Sequence, residues 1–72
     1  MKLTDLKINN LARINKINIS DLELRLHLLE LGLVKNTKIK IIDIINNELY
    51  IIKYRDVKIT LTYSLAQNIE VI

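Results

Sequence analysis

The chain has 72 residues, a formal net charge of +3, no cysteine and a single glycine. That length predicts one domain with a small core, and the absence of cysteine excludes disulfide staples and thiolate zinc sites. The mild basic balance favours an acidic partner surface but is too weak to point to nucleic acid.

A core must therefore come from aliphatics: Leu and Ile together number 27, with no Phe or Trp. The opening Met1-Lys2-Leu3-Thr4-Asp5 reaches charge at once and reads as no signal peptide. No long apolar run is available to span a bilayer. The expectation is a cytoplasmic chain without membrane insertion.

In chain order, Leu3, Leu6 and Ile8 form an apolar lead-in, and Asn9-Asn10 marks a turn. Ala12, Ile14 and Ile17 among polar neighbours predict a short strand. Ser20-Asp21-Leu22-Glu23 reads as a capping box with Ser20 as the cap, opening a helix over about 21–31. Gly32, just past the leucine-rich run, supplies the left-handed residue that closes a helix.

Three strands follow. Lys38–Ile41 alternates, then shifts phase at Ile41-Ile42, which predicts a bulge. Asn46-Asn47 turns the chain into Leu49–Tyr54, with Tyr50, Ile52 and Tyr54 on one face. Arg55-Asp56 is a tight hairpin leading to Val57–Thr62. A short helical turn near 64–68, capped by Ser64, precedes a last strand at Ile69 and Val71. The sum is a mainly β fold: a small SH3-like barrel of about five strands with one inserted helix.

Enzyme signatures are absent. One glycine cannot build a phosphate loop, and one histidine without cysteine assembles no nucleophilic set. His27 lies four residues after Glu23 and three before Glu30, a weak candidate for Fe²⁺ or another transition metal and more readily a solvated helix face. No dedicated cofactor is expected.

The helix carries two apolar stripes. Leu24, Leu28 and Leu31 form one; Leu22, Leu26, Leu29 and Leu33 form another nearly opposite. Left exposed, this second stripe marks contact with a partner or with a second copy, a homo-oligomer; the alternative is that the barrel and the N-terminal segment bury both stripes. Lys38, Lys40, Lys53 and Lys58 fall on outward strand faces, where neighbouring strands can gather them. Tyr50 and Tyr54 share a face with Ile52 and read as core rather than as a base-stacking platform.

Read together, these segments resemble the FeoA family of small accessory proteins of bacterial ferrous iron transport. The resemblance rests on Leu24-Arg25 through Leu28-Leu29-Glu30-Leu31-Gly32-Leu33 and on Thr37–Ile42. The opening Leu3, Asp5-Leu6-Lys7 and Ala12-Arg13-Ile14 matches too, as does the ending Ile59-Thr60-Leu61 with Ala66–Val71. It covers nearly the whole chain. It implies an SH3-like barrel that docks, without chemistry, on the cytosolic part of a FeoB-like membrane transporter bearing a GTPase domain.

The family commonly places polar residues at Leu26 and core residues on the Leu24 stripe. Leu22, Leu26 and Leu29, with the Asn46-Asn47 loop nearby, are therefore the expected contact residues. The family's turn glycines fall here at Asn9, Asn36 and Asp56, residue types that tolerate positive φ, and the retained Gly32 implies a site with no room for a Cβ. A longer Pro- and Gly-containing loop of the family is replaced by Ile45–Leu49, which bears on the mode of contact. A second resemblance, to the C-terminal domain of iron-dependent repressors, implies a metal-responsive regulatory domain as the alternative. This chain has no DNA-binding helices to match it.

Overall fold

Alternating side chains, tight asparagine turns and one capped helix give the chain its shape. The computed structural model describes residues 1–72. A 3₁₀ turn at Leu3–Asp5 buries Leu3 and is closed by the Lys2 amide donating to Asp5 Oδ2 at 2.9 Å. The sequence gives only an apolar lead-in there. Five strands follow: β1 (Leu11–Ile17), β2 (Lys38–Ile45), β3 (Leu49–Tyr54), β4 (Val57–Thr62) and β5 (Ile69–Val71). Helix α1 (Leu22–Glu30) is inserted between β1 and β2, and α2 (Tyr63–Ala66) joins β4 to β5.

All pairings are antiparallel, in the order β4-β3-β2-β1-β5. β1 serves two neighbours. Leu11–Arg13 pair with β2, and from Ile14 to Ile17 the strand pairs with β5, with a register shift between Ile14 and Lys16 inside that second pairing. A second shift between Ile41 and Asp43 bends β2 where two apolar residues adjoin, the expected bulge. These bends curl the sheet around a core that includes Leu3, Ile14, Leu28, Ile41, Ile52 and Ile69. The chain ends meet: the Val71 amide donates to the Met1 carbonyl at 2.7 Å, and Arg13 and Ile72 exchange two backbone bonds of 2.9 Å.

Several local expectations need correction. The cap of α1 is Asp21, whose Oδ1 accepts from the Leu24 amide at 3.2 Å; Ser20 lies one residue outside. The cap of α2 is Thr62 rather than Ser64, because Tyr63 already belongs to the helix. In the β3–β4 hairpin the positive φ falls on Arg55 (55°) and not on Asp56. Asn9 (73°) and Asn36 (74°) do adopt the left-handed region, as do Asn46 (53°) and Asn47 (56°). Both central residues of the β2–β3 turn thus have the geometry of a primed hairpin turn.

Gly32 ends α1 with a Schellman motif: its own amide donates to the Leu29 carbonyl and that of Leu33 to Leu28. Its φ is +92°, but a Cβ there would meet nothing closer than Tyr54 Cε2 at 3.6 Å. Glycine is needed for the backbone angle; space for a methyl is present. The motif also swings Leu33 inward, where it is buried, so of the second stripe only Leu22, Leu26 and Leu29 stay exposed.

Candidate functional site

Helix α1 separates its apolar residues cleanly. Leu28 is buried and Leu24 half-buried, whereas Leu22, Leu26 and Leu29 are 67%, 47% and 54% exposed. At about 100° per residue these three form one ridge pointing away from the core. The helix cannot turn the ridge inward without exposing Leu28.

Charge is divided across that ridge. On one flank, Asp21, Glu23, His27 and Glu30 line a shallow depression that also touches Leu24 and Leu26. On the other, an apolar groove of about 400 Å³ runs between α1, β1 and the segment after Gly32. Ile17, Leu22, Leu26, Leu29 and Val34 face it, and its only charged lining residues are Lys16, Arg25 and Lys35. Lys16, Ile17, Val34 and Lys35 are missed by sequence reasoning. They reach the groove through pairings that place β1 and the post-helix segment beside α1, and no local pattern reports that.

The Asn46-Asn47 turn stands apart. Asn47 borders a separate depression with Glu48, Leu49, Thr62, Tyr63 and Ser64, which shares no residue with the α1 groove. Tyr54, whose hydroxyl donates to the Leu31 carbonyl, sits at the far end of β3 from that turn. Five residue steps of strand separate Leu49 from Tyr54, roughly 17 Å. The structure therefore brings Leu22, Leu26 and Leu29 together and does not bring Asn46 or Asn47 to them.

No three His, Asp or Glu side chains converge where they could hold a metal ion, so His27, Glu23 and Glu30 share a flank without forming a coordination set. The lysines do gather. Lys40 lies opposite Lys53, and Lys53 opposite Lys58, in one row across three strands, while Lys38 lies opposite Arg13. Tyr50 and Tyr54 are buried at 5% and 3% exposure, and Tyr63 tilts against Tyr50 with ring centroids 6.4 Å apart. The two β3 rings thus offer no stacking platform. No helix is long and apolar enough to cross a membrane.

Solved structures share this architecture. FeoA from Chlorobium tepidum superimposes with a TM-score of 0.90 at 25% identity, the match covering 99% of this chain and 68% of that one. Iron(II) transport protein A from Clostridium thermocellum gives 0.88 at 32% identity, and this chain spans 99% of itself but only 44% of that protein. Stenotrophomonas maltophilia FeoA gives 0.85 at 20% identity over 99% and 88%; it was solved with zinc, as a prokaryotic SH3 domain protein put forward as a ferrous iron transport activating factor. The fold recurs in the metal-dependent transcriptional regulator MtsR, with a TM-score of 0.83 at 21% identity over 99% of this chain and 35% of the regulator. No curated protein matches. The FeoA domain model matches residues 1–72, and the chain, an SH3-like barrel by its strands and turns, belongs to the FeoA family.

Proposed function

We propose that this chain is a non-enzymatic accessory of ferrous iron transport that works in the cytoplasm by docking on the cytosolic, GTPase-bearing part of a FeoB-like transporter. The observation that carries the reading is the ridge of Leu22, Leu26 and Leu29, three large apolar side chains held in water by a helix whose other face is committed to the core. Exposed apolar patches rimmed by charge mark interaction sites. Family membership supplies the transport context. The protein would contribute surface and orientation, with no step of bond chemistry.

Titration of the full chain into the isolated cytosolic region of its cognate transporter tests this. Saturable binding that Leu26→Asp weakens at least tenfold, with the variant's melting unchanged, is the expected result. No binding, or binding indifferent to Leu26→Asp, would overturn it. Size-exclusion chromatography of the chain alone reports whether a second copy occupies the ridge instead.

A metal-responsive role is the second reading. It is supported by the fold likeness to MtsR and by the zinc complex of the Stenotrophomonas protein. Calorimetry with Fe²⁺ and Mn²⁺, repeated on His27→Ala, separates it from docking: micromolar binding that depends on His27 would favour it.

A further inference from the structure

The groove beside the ridge has a charge asymmetry that apolar docking alone does not require. On the helix, Arg25 lies about 60° to one side of Leu22, while Glu30 and Glu23 lie about 80–100° to the other. Both glutamates of α1 are thereby kept out of the groove, and the cap residue Asp21 lines the acidic depression with them. Lys16 of β1 and Lys35 after the helix come to the same rim from separate parts of the chain. Three exposed cations thus surround an apolar floor, and no carboxylate lines it.

From this we infer that the groove takes an acidic amphipathic segment of a partner protein, one that lays large apolar side chains on the floor and sets Asp or Glu against Lys16, Arg25 and Lys35. Covering the floor removes water from the rim. Cations in that position need anionic partners, since a desolvated unpaired charge is costly. A basic or neutral segment would bury the same apolar area and leave them unanswered. A second copy of this chain, seated groove to groove, would set the same cations against one another. The choice of surface rests on the docking reading; the charge of the occupant rests on the groove.

The probes are two fluorescein-labelled synthetic peptides with leucines at helical i, i+4 spacing, one flanked by glutamates and the other by lysines at the same positions. Anisotropy titrations of the full chain should show the glutamate peptide binding at least tenfold more tightly, with the gap shrinking at high salt. In the double variant Arg25→Glu, Lys35→Glu the preference should reverse, and in Arg25→Ala, Lys35→Ala, where only Lys16 remains, it should shrink to a few-fold at most. Leu26→Asp should weaken both peptides. Equal binding of the two peptides, binding of neither, or an unchanged preference in the charge-reversed protein would overturn the inference.

The same variants separate it from the transporter reading. If the transporter region binds and is indifferent to charge reversal but sensitive to Leu26→Asp, docking stands and the inference fails. If the peptides discriminate and the transporter region does not bind, the groove stands and the transporter reading fails.

Discussion

Tyr54 donates its phenolic hydrogen to the Leu31 carbonyl and so ties the last turn of α1 to the end of β3. Its ring edge lies 3.6 Å from where a Cβ on Gly32 would sit, so one side chain borders the point where the helix stops and ties it to the sheet. Tyr54→Phe removes the donor from a buried site and should cost about 1–2 kcal/mol. For a domain of this size each kcal/mol lowers Tm by roughly 4–8 °C. Calorimetric melting checks it, and an unchanged Tm would mean the bond carries no net stability.

The same hydroxyl predicts a pH effect. Burial raises the Tyr54 pKa above its ordinary 10.0, against a smaller lowering by the Arg55 cation. A phenol that titrates higher when folded contributes stability that is intact below the unfolded value and lost as pH climbs through the folded one. Urea midpoints should therefore fall above pH ~10, and more steeply in the native protein than in Tyr54→Phe. Parallel profiles would contradict the prediction.

Two turn residues carry opposite expectations. Arg55 holds a φ of 55° without being Gly, Asn or Asp, so Arg55→Gly should stabilise by about 0.5–1 kcal/mol. Asp56→Gly, at the position where a turn glycine was expected, should give no gain. Gly32→Ala should cost about 1–2 kcal/mol from φ alone, and Gly32→Asn less, because the site has room for a Cβ. Chemical denaturation of the four variants decides the ranking; a Gly32→Asn loss larger than that of Gly32→Ala would point to crowding instead.

The cap of α1 gives a third contrast. Asp21→Ala should destabilise by about 1 kcal/mol, whereas Ser20→Ala should change little, since Asp21 makes the capping bond. Equal losses in thermal melts would restore Ser20 as the cap.

The row Lys40, Lys53 and Lys58 sets like charges directly opposite across three strands. Such pairs are mildly destabilising. Lys53→Glu should raise stability by a few tenths of a kcal/mol at low salt, and the gain should fade as salt screens it. A loss at low salt would show that the row is not under repulsive strain.

The parts of the fold that local chemistry decides are legible in the sequence. Gly32 announces the helix stop, adjacent Ile41-Ile42 the bulge, and Asn46-Asn47 the hairpin. The caps slip by a residue or two because Ser20 and Asp21 are both good capping types, as are Thr62 and Ser64. Propensity does not say which residue the chain's entry direction selects. Arg55 is missed because turn signals are read by residue type, and arginine is not a type that advertises positive φ. Leu33 parts from its stripe because the helical angle does not continue past the glycine that ends the helix. At the candidate site, the leucine ridge follows from helical spacing. The cations facing it from β1 and from beyond Gly32 follow only from the tertiary arrangement.

The hydrogen bond between Met1 and Val71, with the pair of hydrogen bonds between Arg13 and Ile72, brings the two ends of this polypeptide together. Entry and exit share one spot on the surface. Bridging the termini and reopening the backbone between Asn46 and Asn47 would keep every strand neighbour, the kind of permutation that exposed loop tips tolerate. For the same reason the unit can be spliced into a longer protein without stretching its host.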